Sequence, residues 1–135
     1  MSTFKDKAHL RTFVSGFLAQ ESSGTENQTF AGSGVVMAYT LSDPDLRIVL
    51  DGSVAPQPGK AFGVHIDDPK APEPAIEFFL SADTYDELYT GNAQPMALMM
   101  SGKVKSKGDV AIAMRLLPAM ARAIPHYKKY REEHL

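Results

Sequence analysis

Four histidines, His9, His65, His126 and His134, are the side chains in this sequence best suited to acid–base or metal chemistry, and no two of them lie four residues apart. A pair at that spacing on a helix would turn two imidazoles toward one metal ion, so no ligand set is assigned. His65 has Asp67 two residues on, on the same side of an alternating stretch, which is the arrangement of a base and an orienting carboxylate. A half-exposed strand pair with no catalytic role accounts for the same two residues. Asp43-x-Asp45 and Asp67-Asp68 could chelate a hard cation, but neither continues into a calcium-loop pattern, and turn chemistry explains both. Gly32-Ser33-Gly34-Val35-Val36 lacks the closing glycine of a nucleophile elbow and runs into a strand pattern. It also lacks the third glycine, or the Lys-Ser/Thr pair, of a phosphate-binding loop. With no cysteine, thiolate metal sites, iron–sulfur clusters, disulfides and a cysteine nucleophile all drop out. The expectation is therefore no catalytic residue, no metal and no cofactor.

What must position any other site is a chain of 135 residues, 44% hydrophobic and 22% charged, which is ordinary for one globular domain spanning 1–135. A chain of this length can bury a core and still enclose a cavity. Its net charge of -2 gives no reason to expect a nucleic-acid partner. The charge is uneven, however: residues 1–100 hold 6 basic and 13 acidic side chains, residues 101–135 hold 8 and 3. Such a basic end is either a solvated face packed on an acidic body or an electrostatic handle for anionic lipid or an acidic partner. Charges interrupt the first ten residues, and no run approaches the ~20 apolar residues of a membrane span, so a cytoplasmic location is expected. Asn27-Gln28-Thr29 fits a glycosylation sequon that this location would leave unused.

Leu10, Phe13, Val14, Phe17 and Leu18 form one stripe on an amphipathic helix over Phe4 to Gln20, and the polar stretch Glu21 to Gly34 reads as a loop. Gly34 to Thr40 and Leu46 to Leu50 flank Ser42-Asp43-Pro44-Asp45, a hairpin signal. Phe62, Val64 and Ile66 alternate as a third strand, and Ala75 to Leu80 gives a fourth after a proline-rich loop. Ser81 or Asp83 can cap a short helix ending before Gly91, Pro95 opens another that Gly102 stops, and Lys103 to Lys107 is a half-exposed strand. Asp109 caps a last helical pattern, in which Pro118 and Pro125 predict a kink or break. This order argues for an α+β domain with helices covering one face of a largely antiparallel sheet.

Five of seven methionines, Met96, Met99, Met100, Met114 and Met120, fall on the two helices expected to meet that face. Methionine fills irregular gaps and re-packs around ligands of variable shape, so either a gap-filled core or a deformable apolar pocket would use it. The segment Leu80 to Leu116 carries Leu80-Ser81, Tyr85-x-x-Leu88, Thr90-Gly91, Pro95, Gly102-Lys103-Val104-Lys105, Gly108-Asp109 and Ala113-Met114-Arg115-Leu116. In these residues and their spacing the chain resembles the sterol carrier protein 2 family, here as a stand-alone domain. The resemblance implies a five-stranded, mostly antiparallel sheet with helices on one face and a hydrophobic tunnel between them, holding a fatty acid, fatty acyl-CoA or sterol-like lipid without catalysis.

On that reading Phe78, Leu80, Leu98, Met99, Met114, Leu117 and Met120 line the pocket, with Ile48 and Val64 beneath it. Lys103, Lys105 and Arg115 are the candidates for a head group or CoA phosphates. Leu98 stands where the family pattern has a small residue. Glu133-His134-Leu135 is not a Ser-Lys-Leu signal, and the stretch from Pro125 to Arg131 reads as an amphipathic tail that could lid the tunnel, pair two chains or touch a membrane transiently. The alternative function is an interaction module with a collapsed pocket, either a homodimer or a partner of an acyl-CoA-metabolising enzyme.

Overall fold

The computed structural model describes residues 3–23, 33–54 and 61–135. The sequon Asn27-Gln28-Thr29 and most of the polar segment after the first helix lie outside the described residues. The elements follow the expected order: α1 (Lys7–Ser23), β1 (Val36–Ser42), β2 (Leu46–Asp51), β3 (Gly63–Ile66), β4 (Ile76–Ser81), α2 (Ala82–Tyr89), α3 (Pro95–Met100), β5 (Lys105–Gly108) and α4 (Val110–His134).

The five strands form one sheet in the order β3-β2-β1-β4-β5, antiparallel throughout except for the central β1–β4 pair. Its register sets Tyr39 beside Ile48 on one side and Phe78 on the other, with Ile66 beyond Ile48. Because side chains alternate along a strand, Met37, Tyr39 and Leu41 share a face with Leu46, Ile48, Leu50, Ile76, Phe78 and Leu80. These nine are buried, and the helices lie on them. α1 packs on β2 and β3, α2 on β1 and β4, and α4 on β4, α1 and α2.

The second face is half wet. It carries Arg47, paired with Glu77 at 3.5 Å, and Thr40, which also hydrogen-bonds Glu77. Yet Ala38 and Val49 on this face are 0% and 1% exposed. Their burial follows from topology. β3 and β4 both run parallel to β1, so residues 67–75 must return from one end of the sheet to the other. Helices fill the first face, and the proline-rich return therefore covers the second.

Local chemistry explains the ends of the elements. The Asp6 side chain accepts the His9 N–H at 2.8 Å at the start of α1, Ser81 accepts from Thr84 N–H at 3.0 Å on α2, and Asp109 accepts from Ala111 N–H at 2.9 Å on α4. Gly91 and Gly102 follow α2 and α3 at φ 77° and 81°, conformations that cost a side-chain-bearing residue strain.

Two expectations need correction. α1 runs on through Glu21 to Ser23, because Glu21 is buried against α4, its Oε1 2.9 Å from His126 Nδ1. α4 passes through Pro118 and Pro125 without a break. Each proline removes the donor for the carbonyl four residues back, here Met114 and Ala121, and both of those lie on the exposed side of the helix where water can serve. Leu116, Ala119, Ala123 and Tyr127 meanwhile anchor the buried side across both prolines. Among the described residues no helix is long and apolar enough to cross a membrane.

Candidate functional site

α3 and the first half of α4 lie over the β1–β4 half of the sheet and leave an apolar cavity of about 50 Å³. The sheet contributes Tyr39, Phe78 and Leu80; α3 contributes Pro95, Met96 and Met99. α4 supplies Val110, Ala113, Met114, Leu117 and Met120, the i, i+3, i+4, i+7 pattern of one helix face, and Leu88 and Val104 complete the wall. The mouth lies between Met96, Val110 and Met114, which are 48%, 53% and 48% exposed.

Two more spaces adjoin it. A cavity of about 40 Å³ lies under α1, between Phe17, Leu50, Tyr85 and Leu116, with Glu21 on its wall. A cleft of about 260 Å³ opens between the α2–α3 turn and α4, bordered by Gly91, Ala93, Ala121 and Ile124. Met120 borders all three spaces; Leu88, Pro95 and Leu117 separate the first from the cleft, and Tyr89 separates the second from it. Of the lining residues Met120 alone is shared by the two cavities, so this flexible thioether divides them, whereas the cleft is also walled off by Leu88, Pro95, Leu117 and Tyr89.

The polar neighbourhood is a cluster holding all five tyrosines of the chain. Tyr39 and Tyr89 hydroxyls are 2.6 Å apart, and Tyr85 packs against both rings. Tyr127 donates to Asp86 Oδ1 at 2.7 Å, and Arg131 Nε reaches the same carboxylate at 2.9 Å, tying α4 to α2. Phe13 and Phe17 of α1 meet Tyr127 and Tyr130 at ring separations of 5.0–5.8 Å. Burial pushes the hydroxyls of Tyr39, Tyr85, Tyr89 and Tyr127 far above the usual phenol range and raises Tyr130 as well, because an ionised phenolate would lack water. The stretch 125–131 is therefore the last packed part of α4 and neither a free lid nor a free tail.

Six of the nine side chains picked from sequence surround the cavity: Phe78, Leu80, Met99, Met114, Leu117 and Met120. Three do not. Ile48 is fully buried on β2, and Val64 borders a polar cleft at the β3 edge, since α1 already covers that half of the sheet. Leu98, one residue before Met99, turns about 100° away on α3 and packs into the core. Lys103 and Lys105 line a separate groove of about 580 Å³ at the end of the sheet, together with Lys7, Asp45 and Asp67; Leu80 is the wall it shares with the cavity. Arg115 is exposed beside Met114. The lining picked from the sequence omits Tyr39, Leu88, Pro95, Val104, Val110 and Ala113, and Met96 entered the reading only as one of the five clustered methionines. Val110 and Ala113 were visible in the α4 periodicity, whereas Tyr39 needs the β1–β4 register.

The His65–Asp67 pair does not form. His65 Nδ1 is 3.1 Å from Asp68, while Asp67 accepts from Arg47 N–H at 2.9 Å and pairs with Lys7 at 3.0 Å. Neither residue touches the apolar cavity. Among the described residues no group of histidines and carboxylates could hold a metal ion.

The model of the SCP-2 sterol transfer family matches residues 16–121. Among solved structures, a sterol carrier protein domain 2 of Helicoverpa armigera has a TM-score of 0.66 at 15% identity, covering 92% of this chain and 96% of that one. The apo form of sterol carrier protein 2 from Yarrowia lipolytica has a TM-score of 0.59 at 20% identity, covering 91% and 94%. A UbiJ-SCP2 ubiquinone synthesis protein gives 0.60 at 14%, covering 87% and 97%. No curated protein matches the sequence.

Proposed function

The chain belongs to the SCP-2 sterol transfer family, and on that premise we propose that it is a non-catalytic carrier of a hydrophobic acyl or sterol-like ligand held between α3, α4 and the β1–β4 half of the sheet. The observation that carries this reading is the cavity whose wall is apolar throughout, apart from the Tyr39 hydroxyl that Tyr89 already engages. Methionines form its movable parts. Burying each methylene of a ligand contributes ~0.8 kcal/mol, so ten would contribute ~8 kcal/mol before opening costs, a micromolar scale of affinity.

At about 50 Å³ the cavity has room for about four waters at roughly 10–15 Å³ each, so a ligand must open it. α3 is the element that yields: it is six residues long and makes no extensive contact with any other element. Separation of α3 from α4, with Met120 swung aside, joins the cavity to the neighbouring cleft. A fatty acid or acyl-CoA would lay its polar end toward Arg115 at the mouth, or past Leu80 toward Lys103 and Lys105.

The same small volume favours a second reading, an interaction module with a closed core that pairs with its own copy or with an acyl-CoA enzyme. Displacement of a fluorescent fatty acid separates the two. Wild type binding at micromolar concentration, with Met99→Glu and Met120→Glu folded by circular dichroism but more than tenfold weaker, supports the carrier. Equal binding by the folded variants sinks the pocket assignment.

A further inference from the structure

The two cavities differ in what a ligand would meet at their walls. Around the outer one every side chain is apolar except Tyr39, whose hydroxyl lies 2.6 Å from that of Tyr89. The inner one, under α1, has Glu21 on its wall together with Tyr85 and Tyr89, and its other described lining residues are apolar. Glu21 is 6% exposed, and a carboxyl group this buried must be met by hydrogen bonds or charge. Its Oε1 lies 2.9 Å from His126 Nδ1, a contact that ties α1 to α4. That contact does not require the carboxyl to border a cavity. A carboxyl group accepts at up to about four positions, so it can serve a ligand alongside its protein partners. Burial is the first cause of the raised Tyr85 and Tyr89 hydroxyls and a neighbouring phenol the second, and the Glu21 charge adds to both, so the inner cavity is a place of negative potential.

α4 runs along both cavities: Met114 stands at the mouth, Met120 lies between them, and Ala123 lines the inner one. At 1.5 Å per residue, Met114 to Ala123 is a rise of about 13.5 Å, the length of an extended chain of about twelve carbons. A chain that enters at the mouth and passes Met120 therefore brings its leading end to the inner cavity.

We propose that the inner cavity is the recognition end of the site, where Glu21 selects ligands that carry a hydroxyl, or another hydrogen-bond donor, on the end that enters first. The inference rests on the carrier reading and adds to it the chemistry of the ligand's buried end. A fatty-acid carboxylate does not lead, because it would meet a second carboxyl group in low dielectric; it stays at the mouth, where Arg115 is exposed. A hydroxyl at the far end donates to Glu21 instead of being stranded among apolar side chains.

The test is displacement of a fluorescent fatty acid by dodecanoic, 12-hydroxydodecanoic and 2-hydroxydodecanoic acids, which share one chain and one carboxylate and differ in the hydroxyl. Wild type binds the 12-hydroxy acid about tenfold tighter than dodecanoic acid, the scale of a hydrogen bond to a charged group, and the 2-hydroxy acid gains nothing. An apolar inner end would instead weaken the 12-hydroxy acid about fivefold or more, so the sign of the change decides. Glu21→Gln, which keeps an acceptor, narrows the preference, and Glu21→Met reverses it, with both variants checked for folding by circular dichroism. Equal or weaker binding of the 12-hydroxy acid to wild type, beside normal displacement by dodecanoic acid, overturns the subsite alone, and this comparison needs no variant to fold. A full preference persisting in folded Glu21→Met overturns the assignment to Glu21. No displacement by any of the three acids overturns the carrier reading, and the subsite falls with it.

Discussion

Met120→Ala probes the arrangement most sharply, because this side chain borders both cavities and the cleft. Truncation removes about three methylene-sized groups, or about 2 kcal/mol at ~0.8 kcal/mol each, at the lower end of the ~2–5 kcal/mol found for buried methionines. The lower end is appropriate because Met120 is only partly buried. For a chain of this size that corresponds to a fall in Tm of roughly 6–10 °C without ligand. The carrier account adds a second effect. The void left behind joins the cavities of about 50 and 40 Å³, whose one shared lining residue is Met120, so a fatty acid enters without displacing the thioether. If the lost 2 kcal/mol is returned on binding, affinity rises by up to roughly thirtyfold, and ligand at 100 times Kd restores about 2.7 kcal/mol. Thermal unfolding with and without dodecanoic acid, together with probe displacement, measures both effects. A destabilised variant whose affinity is unchanged or weaker would show that Met120 is core filling and no partition, and the reasoning would fail.

Three further outcomes are expected. Burial holds all five tyrosine hydroxyls above their usual range, and a group whose pKa is raised on folding loses its stabilising contribution as pH rises, here above about pH 10. Absorbance at 295 nm should therefore show no phenolate near pH 10 and then rise cooperatively with loss of helix; a gradual rise in the folded protein would contradict the packing. Slight burial raises the Asp67 carboxyl, but the Arg47 N–H and the Lys7 and Arg11 charges outweigh it and hold it below the usual carboxylate range. Its contribution is present at neutral pH and disappears as pH falls below about 4, so Asp67→Asn should lose under ~1 kcal/mol at pH 7 and show a flatter acid limb in urea titrations. In hydrogen exchange, amides of α3 should exchange faster than those of α4 and slow down when fatty acid is added; unchanged exchange in α3 would remove it as the opening element.

Much of this was legible in the sequence because local rules and tertiary packing agree. Alternation in β1 to β4, the Ser81 and Asp109 caps, Pro95 at a helix start and Gly91 and Gly102 after helix ends all appear where residue chemistry puts them. The Leu80 to Leu116 pattern led to the family that the chain belongs to. The failures share a cause. Pro118 and Pro125 are tolerated because the carbonyls they orphan face outward, which depends on α4's orientation and not on its sequence. Ile48 and Val64 have pocket-like chemistry, but α1 lies over their half of the sheet, and only the strand order tells the halves apart. Asp67 was taken by Lys7 and Arg47, partners 60 and 20 residues away in sequence, before His65 could use it.

The central claim is that this chain holds an apolar ligand between α3, α4 and the sheet. Native mass spectrometry of freshly purified protein, followed by solvent extraction, tests it most directly. The account predicts one apolar molecule per chain, either co-purified or taken up from added fatty acid, acyl-CoA or sterol, and lost in Met99→Glu. A chain at its bare mass that takes up none of these would contradict it.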